Sequence, residues 1–326
     1  MRLDFKENKV VSDSSTIIHS TRRLYRHISS LLKPLQTLLI MSAMTTMSDG
    51  LAVQTPNPSP LPYKPSSDAL FRHIESLHQS SPTDLPSLGS VLDAGTGSHS
   101  LRWLCSLEKQ GCLTNWTAVT ADAGMLQSVK KELSKVHPSS EGGLVLGNWA
   151  SSSDLVQAPP STHLAHNTGE ILTGKTYDTI LADYLLGAMD GFSPYYQDLL
   201  LPRLSSRLSP SGLLHVAGLS PIPDSLPSPS SNLICEIRRV RDACILLAGH
   251  RCYREYPSEW VVRQAAPGLA VEAVKSFPIL WSEETAMRQV NVGRSKLGLM
   301  SEEARGGMEA EIRRLERRVR EELGRG

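Results

Sequence analysis

From Asp68 onward, short apolar runs alternate with stretches of helical periodicity, and this alternation constrains the fold more than any other feature of the chain. Residues 90–93 read as a strand ending in a glycine turn, 101–110 as a helix and 116–121 as a strand. In 125–136, Met125, Val129, Leu133 and Val136 share one helical face. Residues 144–146 and 179–182 read as short buried strands, 199–208 as a helix halted by Pro210-Ser211-Gly212, and 213–217 as a further strand. Strands separated by helices cannot pair as hairpins; crossovers of that length make successive strands parallel and lay the helices on both faces of the sheet. The expected fold is therefore α/β and doubly wound. Ser67 or Asp68 would cap an opening helix through Leu70, Ile74 and Leu77; 233–248 reads as another helix, and 270–277 and 286–292 as two closing strands.

The N-terminal part has a different character. Residues 14–48 contain no acid, carry Arg22, Arg23, Arg26 and Lys33, and place Leu24, Ile28, Leu31, Leu35 and Leu38 on one helical face, as in an organelle transit peptide. Against that reading, Asp4, Glu7 and Asp13 precede the stretch, Pro34 would kink it, and Met41, Met44 and Met47 offer later starts. Pro56, Pro58, Pro60, Pro62 and Pro65 then give an extended, semi-rigid linker. The expected organisation is an extension over 1–65, an α/β domain over 66–300 and a charged helix over 301–326, in a cytoplasmic protein, or a mitochondrial or plastid one if 14–48 acts as a transit peptide.

Composition narrows the function. Lys+Arg 34 against Asp+Glu 33 leaves a net charge of +1, so nothing in the balance demands a nucleic acid or an acidic membrane surface. The 5 cysteines show no CxxC spacing, and no metal site is expected. No apolar run approaches the ~18 residues of a spanning helix. Residues 157–175 and the proline-containing 221–231 read as surface loops.

The chemistry is expected at the carboxyl ends of the strands, where open α/β sheets bind ligands. The first end is Val91-Leu92-Asp93-Ala94-Gly95-Thr96-Gly97-Ser98-His99, a glycine turn opening a helix. A dinucleotide loop would want a third glycine where Ser100 stands, and the carboxylate of Asp93 would repel a pyrophosphate. It suits a ligand with a cationic amino group. Asp93-Ala94-Gly95-Thr96-Gly97 resembles the first motif of the class I S-adenosylmethionine-dependent methyltransferases. Val119-Thr120-Ala121-Asp122-Ala123 is similar to the second, and Gly147-Asn148-Trp149 to the Gly-Asp segment lining the adenine. Tyr177 to Asp183 resembles the fourth strand, and 200–214 the helix, turn and strand that follow. The resemblance spans about residues 89–219, in order.

It implies a seven-stranded type of sheet, S-adenosylmethionine as cofactor, and Asp93, Gly95, Thr96, Gly97, Asp122, Ala123, Asn148, Trp149 and Asp183 as its binding residues, with Asp122 on the ribose. This chain departs from the family at His99, where a third glycine is common, at Asn148, where Asp is commoner, and at Asp183-Tyr184-Leu185-Leu186, which lacks the Pro-Pro of many amino-methylating enzymes.

On the acceptor side, Asp183, Tyr184, Met189, Asp190, Phe192, Tyr195 and Tyr196 crowd one segment of a chain with only 5% aromatics, and Ser193-Pro194 reads as a helix start. Asp183, Asp190 and Tyr195 are the candidate catalytic residues. Glu236, Arg238, Arg239, Arg241 and Asp242 read as a solvated, paired helix face, and Arg254-Glu255-Tyr256-Pro257 could face the cleft. At the C-terminus, Met308, Ile312, Leu315, Val319 and Leu323 form a stripe that needs a partner, in this domain or in a second subunit, and Gly306-Gly307 suggests a hinge. The function expected is methyl transfer to an unidentified acceptor, a small molecule rather than protein or nucleic acid. The alternatives are a non-catalytic cofactor-binding or scaffold module and, third, a nicotinamide oxidoreductase.

Overall fold

The computed structural model describes residues 10–21, 63–137, 140, 142–150, 171–265 and 268–324. In chain order these form β1 (Val10–Thr21), α1 (Ala69–Leu77), β2 (Ser90–Asp93), α2 (Ser98–Lys109), β3 (Asn115–Thr120), α3 (Ala123–Val136), β4 (Gly143–Leu146) and β5 (Tyr177–Asp183). Then come α4 (Leu185–Phe192), α5 (Gln197–Ser206), β6 (Leu208–Leu219), α6 (Pro229–Leu247), α7 (Ser258–Ala265), β7 (Ala270–Trp281), α8 (Glu283–Arg294) and α9 (Glu302–Leu323).

The sheet order is β4-β3-β2-β5-β6-β1-β7. The chain winds outward from β2 through β3 to β4, then returns to lay β5 on the other side of β2 and β6 beyond it, all parallel. This is the doubly wound arrangement, and its switch point lies between β2 and β5. Neighbouring residues in these strands are buried on opposite faces. Leu92 and Ile180 pack with Leu200, Leu204 and Val216 on one side, while Val91 and Leu181 pack with Phe71, Ile74, Leu101 and Leu104 on the other. Burial on both faces is why the strands read as continuous apolar runs.

The expectation that residues 1–65 stand outside the fold is corrected for Val10–Thr21. This segment enters the sheet antiparallel to both β6 and β7, with Ile17 opposite Ala217 on one side and Lys275 on the other. Val10, Val11, Thr16, Ile17, Ile18 and Thr21 are β-branched, the composition a strand favours. The basic stretch over 22–48, the prolines up to Pro62 and the insertion over 151–170 lie outside the described residues.

A second correction concerns 286–292, which is helix rather than strand. Ser282 caps α8 by accepting from the Thr285 amide at 3.2 Å, and Glu283 and Glu284 suit its first turn. Helices α6, α8 and α9 share a separate core of Leu233, Ile237, Ala286, Val290, Ile312, Leu315, Val319 and Leu323. The C-terminal stripe thus finds its partner within the chain. Gly306 and Gly307 lie inside α9 and form no hinge. Glu309 and Arg313 pair at 2.8 Å as their spacing suggests, but Glu316 pairs with Arg294 of α8. Arg314 and Arg318 reach Glu236 of α6 at 2.9 and 2.7 Å.

Helix α1 is fixed to the domain at both ends. Asp68 caps it, accepting from the Leu70 amide at 2.8 Å. Buried Glu75 receives the Trp103 indole at 2.8 Å and the Tyr63 hydroxyl at 2.7 Å. His78 and His215 meet through their Nε2 atoms at 2.8 Å, so one donates while the other accepts, and burial pushes His78 down to about 4.

Because β1 joins β6 to β7, Ile17→Pro, which removes an amide from the middle of this strand, should be costly. Orphaned ladder groups at about 1–3 kcal/mol each predict a drop in Tm on the order of 10 °C. A thermal melt indistinguishable from wild type would show that β1 adds nothing to the sheet's stability.

Candidate functional site

The turn after β2 is held by both neighbouring strands. The Ala94 amide donates to Leu181 O of β5 and the Thr96 amide to Val119 O of β3, each at 2.8 Å. Ser100 Oγ accepts from the Gly97 amide at 3.2 Å and closes the start of α2. Gly95 has a local reason to be glycine. A Cβ there would stand 2.9 Å from Leu185 Cδ1, so the first turn of α4 rests directly on the loop. The space beside Gly97 is open.

Two carboxylates dominate the electrostatics. Asp93 is 0% exposed; its Oδ1 lies 3.5 Å from the Gly95 amide, and its Oδ2 has no partner among the described residues. Burial pushes this carboxyl up to about 6, opposed by the Ser100 and Thr96 hydroxyls and the Gly95 amide. Asp183, at the end of β5 across the switch point, is pushed up to about 7 by burial first and then by the charges of Asp93 and Asp68. Its Oδ1 is likewise buried without a partner among the described residues. Two such groups facing one another do not ionise together cheaply unless a cation joins them. A ligand carrying an ammonium or sulfonium group meets that requirement, so these residues fit S-adenosylmethionine.

The remaining expected cofactor residues spread over β3 and β4. Asp122 caps α3 through its contact with the Met125 amide at 2.5 Å, beside exposed Ala123. Asn148 is buried, and its Oδ1 accepts from the Ala150 amide at 3.1 Å and from Ser193 Oγ at 3.0 Å. Its Nδ2 has no partner among the described residues. The side chain therefore offers a ligand its amide N–H as a donor. Trp149 is 7% exposed and packs in the core, its indole N–H donating to Ala94 O at 2.6 Å. Through that bond it braces the glycine turn from β4.

On the other side of the switch point, Tyr184 and Tyr195 both adopt left-handed backbone, at φ 50° and 73°. Such conformations in bulky residues concentrate at functional segments. Ser193-Pro194 fall between two helices, since α5 begins only at Gln197. Asp190 is 5% exposed and ion-paired to Arg254 at 3.5 Å, while Tyr195 is 82% exposed beneath the Arg251 guanidinium, 5.9 Å from the ring centroid. Of the three candidate catalytic residues, only Asp183 sits with Asp93.

The segment over 250–257 lies across α4. Tyr253 covers Gly191, Glu255 covers Gly187, and Arg254 holds Asp190. Tyr253 is 58% exposed; partial burial, then the charge of Asp122, raises its phenol. Sequence reading singled out Arg254 to Pro257 but missed Tyr253; its position four residues before the proline, in a Gly-containing turn after α6, was the available signal.

A cavity of about 270 Å³ opens beside Asp183, lined by Asp68, Phe71, His99, Tyr184, Phe277 and Pro278 among others. Among the described residues, no helix is long and apolar enough to cross a membrane.

Neither a protein-family model nor a curated protein matches the chain. Solved structures do resemble it. A Bacillus halodurans protein provisionally named a methyltransferase is 14% identical, over 64% of this chain and 74% of that one, at a TM-score of 0.41. The YcgJ protein of Bacillus subtilis is 15% identical, over 68% and 81%, at 0.39. An S-adenosylmethionine-dependent methyltransferase of Clostridium acetobutylicum is 14% identical, over 39% and 41%, at 0.24. At these identities and scores, function rests on the strand ends described above.

The raised carboxylates make a pH prediction. Because Asp183 holds its proton in the folded state up to about 7, while an unfolded Asp releases it near 4, stability from this residue falls as pH rises through that window. Buried His78 acts oppositely between about 4 and 6.5. Comparison with Asp183→Asn isolates the carboxylate: the variant should match wild type near pH 5 and exceed it at pH 8 by on the order of 2 kcal/mol. Equal stabilities at both pH values, followed by chemical denaturation, would contradict the burial of this charge.

Proposed function

We propose that the protein binds S-adenosylmethionine at the β2 and β3 strand ends and transfers its methyl group to a small-molecule acceptor. The observation that carries this reading is Asp93, fully buried, with one oxygen unpartnered among the described residues, directly before a glycine turn at the switch point. A pyrophosphate would be repelled there, whereas the cationic methionine end of the cofactor would relieve the charge. Asp122 is the group for the ribose hydroxyls, the Asn148 amide donates toward the base, and Tyr253 covers that side. When bound, S-adenosylmethionine supplies an electrophilic methyl group on a sulfonium. The chain's own contribution is then to orient the acceptor, exclude water and accept a proton, and positioning alone is worth up to about 7–11 kcal/mol in favourable cases. Asp183 is placed to take that proton.

One observation favours the second reading, a cofactor-binding or scaffold module without transfer. Leu185 lies against Gly95, and the Ala94 carbonyl is already engaged by Trp149, so the space over the turn is narrow.

Calorimetry tests the first reading. S-adenosylhomocysteine should bind and NAD should not, and Asp122→Ala should weaken binding by roughly 1–3 kcal/mol, the scale of hydrogen bonds to a charged group. Tighter binding of NAD would overturn it. Binding of S-adenosylhomocysteine without any labelled methyl transfer to small molecules or protein extract would favour the module.

A further inference from the structure

We propose that the cavity beside Asp183 is the acceptor site and that it takes a primary amine carried on an aromatic or similarly apolar group. This rests on the methyl-transfer reading for its chemistry but not for its binding.

The cavity lies on the β5 side of the sheet, away from Asp122 and Asn148; of the expected cofactor residues it includes Asp183. Asp122 and Asn148 follow β3 and β4, whereas the cavity draws on the ends of β5 and β7 and the first turns of α1 and α2. Asp183 and Asp93 stand at the boundary, one on each side of the switch point. The walls are of two kinds. Phe71, Phe277, Tyr184 and Pro278 offer apolar and aromatic surface, and His99 stacks on Phe71 with ring centroids 5.0 Å apart. Asp68 and Asp183 offer carboxylates. Asp68 is already engaged, capping α1 and pairing with His99 Nε2 at 3.3 Å. Asp183 keeps a buried oxygen without a partner among the described residues. An apolar cleft of this size with a few convergent polar groups is the usual form of a small-molecule site. Its field is negative and its rings present π faces, and both attract a cation. Carboxylic acids and phosphates are disfavoured by the same charges.

The chemistry is consistent. An amine enters protonated and must free its lone pair before it can attack. Asp183 accepts the ammonium proton. The nitrogen–carbon bond then forms as the carbon–sulfur bond breaks, the bonding pair leaving with sulfur; the product leaves as the methylated ammonium, and Asp183 returns the proton it took to solvent. The wall itself is rigid, because Glu75 and the His78–His215 contact fix α1 against the domain.

The test is calorimetry on the full chain with phenethylamine and its near-isostere 3-phenylpropanoate, each with and without saturating S-adenosylhomocysteine. Phenethylamine should bind in both conditions and 3-phenylpropanoate in neither. Asp183→Asn should weaken the amine more than tenfold. Asp68→Asn, which keeps a capping side chain, should weaken it several-fold. Asp68→Asn should retain S-adenosylhomocysteine affinity within a few-fold, and cooperative thermal melts no lower than wild type report that both variants are folded. Equal binding of the carboxylate, or amine binding indifferent to Asp183→Asn, overturns the proposal. So does mutually exclusive binding of amine and S-adenosylhomocysteine, which would assign the carboxylates to the cofactor's own ammonium. Amine binding without any S-adenosylhomocysteine binding would sustain the amine site and remove the methyl-transfer reading. The reverse result would remove only the amine site.

Discussion

Asp93 and Asp183 end adjacent parallel strands, and the sheet's topology forces them together. β2 and β5 are neighbours because the chain reverses its winding between them, so both strand ends open onto one crevice. Burial raises each carboxyl, and the charge of Asp93 adds to the burial of Asp183. A fold stabilised only by packing would have no use for this arrangement, since an apolar pair would cost less there. Much of the surrounding structure serves to hold it: the Gly95 turn bonded to β3 and β5, Trp149 under Ala94, Leu185 over Gly95, and α1 fixed by Glu75 and His78.

The far edge of the sheet shows a second constraint. β6 cannot end the sheet on its own, since a long apolar edge strand would leave its ladder groups unpaired. β1 pairs with it and, on its other side, with β7. That brings Phe277 and Pro278 to the cavity, so the strand nearest the N-terminus determines where a C-terminal wall of the site stands.

Much of this was legible in the residues. Alternation located β2 to β6 and α2, α3 and α5 between them, though not α4, because strands buried on both faces carry uninterrupted apolar runs. Asp93 and the glycines marked the turn because an acid before such a turn conflicts with phosphate binding. What was missed lacked a local signature. Val10–Thr21 is polar enough, with four serines and two threonines, to read as part of an extension, and only pairing on both sides makes it a strand. Within α8, 286–292 was read as a strand, although Ser282 and the two glutamates announced a helix. Trp149 and Asn148 were assigned by analogy. Their hydrogen bonds to Ala94, Ala150 and Ser193 depend on contacts up to 55 residues apart in sequence, which no spacing reveals.

The same contacts bear on how the two halves of the crevice could communicate. Asn148, at the β4 end, bonds Ser193 at the far end of α4, and Leu185 at its near end rests on Gly95. Arg254 grips Asp190 in the middle of that helix, and Tyr253 on the same segment covers Gly191 near Asp122. Helix α4 is thus touched from the cofactor side at both ends and carries Tyr184, in its left-handed conformation, at its cap beside the cavity. A ligand that moved Asn148 or Tyr253 would act on α4 as one body, because a helix of two turns shifts as a unit more readily than it bends. Any coupling between cofactor and acceptor in this fold therefore has a short physical route, and its size is set by the difference in free energy between the positions of this one helix.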